Sequence, residues 1–357
     1  MGKQERDVEK IARVRRRLLK WYERSRRDLP WRRNRDPYAI WVSEIMLQQT
    51  RVAVVVERYQ AFMARFPTLL SLAQAPEQEV LAAWSGLGYY RRARMLHKAA
   101  QFVASHCQGK LPRTAAELRL LPGIGAYTAA AVASIAYGER VAVVDGNVER
   151  VLCRMEGWKV GSVSQLRRKI EALAAELVSP QRPGDSNQAL MELGATLCLP
   201  RNPRCEACPV ADDCKTQGEH PTAPRPPMLR SEVAHALSLR SGRKAGQAHR
   251  ELLLEQRPAA QTVMPGLWEL PALAETEVPE KDLRLTLRHS IMQVNYNVRI
   301  RAVSESDIDA LTVACGVRRW VSLKEATGMA LTGLTRKALT RLHLLDAIAP
   351  QAGDDLL

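Results

Sequence analysis

The sequence predicts a mainly α chain closed by a smaller α+β domain, and three patterns carry that expectation. From about Val8 to Leu193 apolar residues recur at three- and four-residue spacing, as in Ile11, Val14, Leu18 and Trp21 and again in Val132, Ile135 and Ala136, the period of helices with one buried face. After Cys214 the composition shifts to a stretch with four prolines between Lys215 and Pro227, which favours an extended, semi-rigid linker. Beyond it the period becomes two: Met292, Val294, Tyr296, Val298 and Ile300 alternate with Gln293, Asn295, Asn297, Arg299 and Arg301, a half-buried strand. These patterns set a helical domain over residues 1–214, a linker over 215–230 and an α+β domain over 231–357.

The elements follow in chain order. Residues 1–35 hold fourteen Lys and Arg against five Asp and Glu, a basic helical face that is either simply solvated or turned toward polyanions. Asp36-Pro37 reads as an N-cap with proline at the first helical position, opening a helix over Tyr38 to Arg51. Pro180, Pro183 and Gly184 punctuate the entry to a last helix containing Asn187 to Leu197. In the second domain Ala234 to Leu239 and Glu251 to Gln256 read as strands around a glycine-containing turn, and Leu331 to Leu345 as a closing amphipathic helix.

Composition excludes several classes. The 357 residues are 46% apolar, with no apolar run near the roughly 18 residues a membrane span needs, so no membrane association is expected. The first residues are charged and not apolar, so a cytoplasmic location is expected. A net charge of +15 suits a partner with a phosphate backbone. Nothing indicates a coiled coil, and a monomer is expected. Seven cysteines, three of them (Cys107, Cys153, Cys315) scattered in apolar patterns, do not form a disulfide framework.

The other four, Cys198, Cys205, Cys208 and Cys214, stand as Cys-x6-Cys-x2-Cys-x5-Cys. Four thiolates this close can surround a metal centre or an iron–sulfur cluster. Zinc is the simpler reading of Cys205-x2-Cys208, but structural zinc sites pair two short Cys-x2–4-Cys units across a longer gap. Arg201, Arg204 and Lys215 make the surrounding loop basic.

Upstream, Leu121-Pro122-Gly123-Ile124-Gly125 precedes an alanine-rich helix from Thr128. Its glycines allow a tight turn whose backbone amides point outward, a sequence-independent grip on phosphate; an ordinary helical corner is the alternative. Twenty residues on, Val144-Asp145-Gly146-Asn147-Val148 places a carboxylate where a short apolar run meets a new helix, a position that an N-cap also explains.

The hairpin, the Asp145 motif and the cysteine loop together resemble the endonuclease III, helix-hairpin-helix superfamily of DNA glycosylases. Pro30-Trp31-Arg32, Asp36-Pro37-Tyr38, Trp41-Val42-Ser43-Glu44-Ile45-Met46-Leu47-Gln48-Gln49-Thr50 and Gly86-Leu87-Gly88-Tyr89-Tyr90 are similar to its adenine DNA glycosylase (MutY-type) branch over about residues 8 to 215. The resemblance implies a helix-hairpin-helix glycosylase fold, one [4Fe–4S] cluster on Cys198, Cys205, Cys208 and Cys214, and double-stranded DNA with a mispaired or lesion-paired adenine as partner. It implies Glu44 as the acid/base and Asp145 as the group opposing the oxocarbenium sugar, with Tyr127 and Asn147 positioning them. Tyr127 stands where bifunctional members carry a lysine nucleophile, so a base-releasing enzyme without strong lyase activity is expected. Ile40, Trp41, Ile45 and Met46 around Glu44 should desolvate it and raise its pKa.

By the same resemblance Gln49 and Tyr89 enter the base stack, Arg32 and Gln188 line the adenine pocket, and Leu121, Gly123 and Gly125 meet the DNA backbone. Tyr89 reads equally as a core residue. Pro265-Gly266-Leu267-Trp268-Glu269-Leu270-Pro271 resembles the start of a Nudix-like domain, but no paired-glutamate helix for Mg²⁺ follows, so recognition of 8-oxoguanine and not hydrolysis is implied. The recognition triplet departs from the family pattern: Arg288-His289-Ser290 is followed by Ile291-Met292-Gln293, leaving Ser290 or Gln293 to contact the lesion, with Met292 equally readable as core. Two other readings stay open, a glycosylase for another base such as thymine opposite guanine and a non-catalytic iron–sulfur DNA-binding protein; retention of both Glu44 and Asp145 argues against the latter.

Overall fold

A computed structural model describes residues 3–158, 163–220, 227–244 and 247–345. Within them the chain forms two compact units, Met1–Gln74 with Met95–Ala223 and Ala75–Arg94 with Pro224–Leu357. The segment Ala75–Arg94 shares the helical pattern of the first unit yet clusters with the second. Long-range bonds draw it there: Tyr90 Oη donates to the Leu331 carbonyl at 3.2 Å and Gln78 Nε2 to that of Gly266 at 3.2 Å.

The first unit is all helical. Its central helix, Pro37–Leu47, starts as the Asp36-Pro37 pair dictates, with the Asp36 carboxylate accepting from the amides of Tyr38 and Ala39 at 3.1 and 3.3 Å, and it ends four residues before the expected Arg51. Every residue from Tyr38 to Met46 is buried, so this helix is apolar around its circumference and lies inside the unit. It packs on the alanine-rich helix Ala126–Ala136, whose small side chains let the two approach closely. The helix Pro183–Thr196 in turn packs on Ala126–Ala136, on Gly146–Glu156 and on the N-terminal helix Lys3–Ser25. Val14, Leu18, Tyr22, Val151, Leu152 and Leu193 form the core between them.

The second unit is α+β. Strands β1 (Leu229–Leu237), β6 (Val294–Ala302) and β5 (Leu283–Ile291) make one sheet in the order β1-β6-β5, with β1 parallel and β5 antiparallel to β6. Strands β2 (Leu239–Lys244), β3 (Gln247–Gln256), β4 (Trp268–Glu269) and β7 (Val317–Ser322) make a second sheet centred on β3. Ala234 to Leu239 is therefore not one strand: Ser238 separates β1 from β2, letting the chain change sheets. The closing helix is Gly333–Arg341, capped by Thr332 accepting from the Thr335 amide. Part of the expected linker, residues 221–226, lies outside the described residues.

Met292 corrects the expected strand. β6 begins at Val294, and Ile291 pairs with Val294, so Met292 and Gln293 form the two-residue turn of a hairpin. Met292 has φ +54° and is 74% exposed; the alternation continues backward past the turn only by coincidence of sequence. Two-residue hairpins need positive φ at the first central position, which glycine usually supplies.

Candidate functional site

The buried central helix sets Glu44 in the first unit's interior, 6% exposed. Burial pushes its carboxyl up to about 7; the Tyr127 hydrogen bond opposes that rise, the Asp145 charge adds to it and the Arg32 charge opposes it. Tyr127, in the first turn of Ala126–Ala136, donates its hydroxyl to Glu44 Oε2 at 2.7 Å, and its own phenol is pushed far up by burial.

Asp145 caps the helix Gly146–Glu156. Its Oδ1 accepts from the Val148 amide at 2.7 Å and its Oδ2 from Asn147 Nδ2 at 3.0 Å, so the N-cap role and a fixed carboxylate are the same fact. The preceding strand-like run is held by Asn187, buried and unremarked in the sequence. Its side chain accepts from the Val143 amide at 3.1 Å and donates to the Val141 carbonyl and to Ser134 Oγ, both at 2.9 Å.

Arg32 was expected beside the substrate, and the fold adds its support. Glu192, with a fully buried side chain, accepts from Arg27 Nε and Nη2 at 2.7 and 2.8 Å, from the Arg27 amide at 3.1 Å and from Arg32 Nη2 at 2.8 Å. Burial alone would raise the Glu192 carboxyl, but the two guanidinium groups outweigh it and pull it down to about 2. Gln188, one helical turn earlier, is half-buried.

The hairpin behaves as its glycines require, with one correction. Gly123 adopts φ +74°, and a Cβ there would lie 2.4 Å from Met95 Cβ, so glycine is needed for both conformation and space. Gly125 is the N-cap without a capping side chain, which leaves first-turn amides open to an external acceptor. Leu121, expected at the DNA backbone, is instead buried with its amide donating to the Leu118 carbonyl at 3.1 Å; it packs the turn from inside.

Gln49 and, in the second unit, Tyr89 are both exposed and left-handed, at φ +57° and +46°. Tyr89 is therefore not core. Such conformations cost non-glycine residues about 1–2 kcal/mol; the Arg92 guanidinium lies over the Tyr89 ring at 5.5 Å. Ser290 is exposed and donates to Asn295 Oδ1 at 2.6 Å, and Gln293 is exposed in the hairpin turn.

The four clustered cysteines line one small cavity floored by Val151, Leu193 and Val210. Among the described residues no three His, Cys, Asp or Glu side chains converge on a single-ion site. Thiols spaced around a shared apolar cavity suit a multi-iron cluster better than one tetrahedral ion about 2.3 Å from each sulfur. Arg154 Nη1 approaches Cys198 Sγ at 3.4 Å and donates to the Leu199 carbonyl at 2.6 Å. Arg150 joins the loop to the site, donating to the Cys198 carbonyl and to Asn147 Oδ1, both at 2.8 Å. Burial pushes the Cys208 thiol up to about 11.

Residues 42–180 match the model of the HhH-GPD superfamily base excision DNA repair protein, and residues 198–214 match the iron–sulfur binding domain of endonuclease III. A solved thermostable thymine-DNA glycosylase is 32% identical, with TM-score 0.54 over 58% of this chain and 97% of that one. The chain belongs to the HhH-GPD superfamily of base excision DNA repair proteins. This HhH-GPD protein is also 50% identical over 222 residues to the adenine DNA glycosylase of Homo sapiens, covering 59% of this chain and 41% of that protein. It is 39% identical over 310 residues to the adenine DNA glycosylase of Arabidopsis thaliana, 75% of this chain and 48% of that protein. The chain thus spans about half the length of the curated relatives it matches. As an HhH-GPD protein with the endonuclease III iron–sulfur domain, its cofactor is one [4Fe–4S] cluster. No helix among its described residues is long and apolar enough to cross a membrane.

At Gly194 the helix Pro183–Thr196 of this HhH-GPD protein closely approaches Asn147. A Cβ there would lie 2.6 Å from Asn147 Cβ and 3.1 Å from its Cα and carbonyl carbon. Gly194→Ala is expected to lower stability by about 1–3 kcal/mol through overpacking and to shift the Asn147–Asp145 pair, read as a lower Tm together with slower turnover. An unchanged Tm would show that the two helices can part without strain.

Proposed function

We propose that this chain is a base excision repair glycosylase that hydrolyses the N-glycosidic bond of adenine opposite 8-oxoguanine or guanine in duplex DNA. The observation that carries the reading is the pairing of Glu44, a buried carboxyl held near pH 7, with Asp145, a carboxylate fixed by two N–H donors. Breaking this bond puts negative charge on the base and positive charge on the sugar, so it needs an acid and an anion. The adenine is flipped from the stack, with Arg32 and Gln188 against its edge and Gln49 and Tyr89 entering the gap. Glu44 gives its proton to N7 and the bonding electrons leave with the base. Asp145 opposes the oxocarbenium charge; water adds to the sugar carbon, and its proton returns to Glu44. Tyr127 orients Glu44 through the 2.7 Å hydrogen bond, and Asn147 orients Asp145.

Gly123 and Gly125 grip a phosphate through the hairpin. Cys198, Cys205, Cys208 and Cys214, which line one cavity, would hold the cluster, and their thiolates would let it brace the basic loop. In the second unit the resemblance leaves Ser290 and Gln293, on either side of the exposed Met292, to contact the opposite base. Met292 at that tip lacks a hydroxyl, so weak discrimination between 8-oxoguanine and guanine is expected.

Single-turnover base release from duplexes holding adenine opposite 8-oxoguanine, guanine or cytosine, and thymine opposite guanine, tests the assignment. Adenine release is expected opposite both 8-oxoguanine and guanine; release of thymine alone would overturn the substrate. Asp145→Asn is expected to bind the same DNA and release base on the order of 10²–10³-fold more slowly, and normal turnover by that variant would sink the chemistry.

A further inference from the structure

Part of the basic face of the N-terminal helix Lys3–Ser25 turns to the chain's own acids. Lys10, Arg13 and Arg17 stand at intervals of three and four residues and so share one side of that helix. Arg13 donates from Nη2 and Nε to Asp213 Oδ1 at 2.5 and 3.2 Å. Arg17 Nη1 donates to Asp212 Oδ2 at 2.9 Å and reaches Asp213 Oδ2 at 3.5 Å. Lys10 Nζ lies 2.6 Å from Glu156 Oε1, and Lys215 Nζ lies 2.6 Å from Glu156 Oε2, so one carboxylate joins the helix to the residue that follows Cys214.

These pairs meet the last arm of the cysteine loop. Asp212 and Asp213 form the short turn Ala211–Asp213 directly before Cys214. The Asp213 side chain is only 3% exposed, and a carboxylate buried that far destabilises the fold unless it is paired. Val210, one residue before the turn, packs in the same core as Val14 and Leu18. The stretch between Cys208 and Cys214 is thus seated on the N-terminal helix by an apolar contact and two guanidinium groups. The Cys198 end is held by another element, with Arg150 and Arg154 donating to the Cys198, Leu199 and Pro200 carbonyls. Beyond Cys214 the chain returns to that same helix, the Lys215 amide donating to the Met155 carbonyl at 3.0 Å. Arg13 and Arg17 are 42% and 38% exposed, so dissolved salt can reach their pairs while it cannot reach the buried Arg154.

We propose that the N-terminal helix is an ionic strap on the iron–sulfur loop: Arg13 and Arg17 are positioning residues that keep the Ala211–Asp213 turn, and with it Cys214, closed against the cysteine cavity, and so set how long the cluster is retained. Ala211 and Cys214 both line that cavity, and lifting the turn opens it to solvent. Because the pairs are partly exposed and electrostatic, retention falls as ionic strength rises. The inference concerns the cluster and does not depend on which base is released.

The test uses the full, cluster-loaded chain in anaerobic buffer with excess EDTA, following the cluster's visible absorbance and the helical far-UV signal together over a salt series. Arg13→Ala/Arg17→Ala is expected to lose the cluster on the order of 10–100-fold faster at low salt, the scale of hydrogen bonds to charged groups, with the helical signal outlasting the absorbance. Loss from the unaltered chain should quicken with salt, and loss from the double variant should respond little. Arg13→Lys/Arg17→Lys, which keeps both charges, should restore most of the slow loss. Lys20→Ala removes an exposed cation of the same helix that has no partner among the described residues, and should behave as the unaltered chain. Should the double Ala variant not fold, Asp212→Asn at its exposed position carries the test, with an expected rise of about 2–5-fold. An unchanged rate would overturn the proposal. So would equal acceleration by Lys20→Ala, which would make net charge the cause, or loss of absorbance and helical signal on one time course, which would mean that the helix stabilises the fold as a whole and not the loop.

Discussion

Replacing Glu44 by glutamine is expected to slow base release by about 10²–10⁴-fold, the contribution of a positioned general acid, without weakening DNA binding. The amide keeps the size and the hydrogen bond to Tyr127 but has no proton to give. The pH dependence carries the sharper signature. Since burial holds the Glu44 carboxyl at about 7, its acid form dominates below that pH and is lost above it. Single-turnover base release by the unaltered chain should therefore fall as pH rises through about 7, about tenfold per unit once the carboxyl is ionised. The residual rate of Glu44→Gln should be flat over the same range. A rate limb near the ordinary carboxylate range of about 4.5 would mean that the helix Pro37–Leu47 admits water to the carboxyl, and that another group supplies the proton.

The second large effect is on stability. Glu192→Ala is expected to destabilise the protein by about 3–5 kcal/mol, because it leaves Arg27 and the largely buried Arg32 facing an empty space. Glu192→Gln keeps the volume and separates packing from charge. With the Glu192 carboxyl at about 2 in the folded chain and about 4.5 in the unfolded one, the folded state binds its proton less tightly. The stabilisation is thus complete above about pH 4.5 and disappears as pH falls toward 2, amounting to about 3 kcal/mol. The difference in unfolding free energy between the unaltered chain and Glu192→Gln should shrink over that window, measured by denaturant titration. A difference independent of pH would mean that shape, not charge, holds the two arginines.

The two carboxylates proposed for the chemistry were legible because their signals are local. A carboxylate at the junction of an apolar run and a helix start identifies Asp145, and Glu44 sits within unbroken apolar neighbours that no amphipathic surface helix would carry. The side chains that hold these groups in place were not legible. Glu192 meets Arg27 and Arg32 across 165 and 160 residues, and Asn187 reaches the Val143 amide across 44; each is an ordinary polar residue on a helix until its partners are known. Nothing local marks Arg150 and Arg154, yet they bind the cysteine loop from the helix Gly146–Glu156.

Errors of the sequence reading were likewise errors of long-range geometry. Met292 continued a period of two that a turn interrupts, since alternation records which face a residue would occupy and not where the strand ends. Leu121 shared a motif with the outward glycines but packs inward. Helical period, cap chemistry, cysteine spacing and glycine turns depend on interactions within a few residues, so the amino-acid order alone determined the helical and α+β classes and pointed to the four clustered cysteines and the two carboxylates. The assignment of Ala75–Arg94 to the second unit and the Glu192 clamp depend on contacts between distant segments, and only the folded chain could settle them.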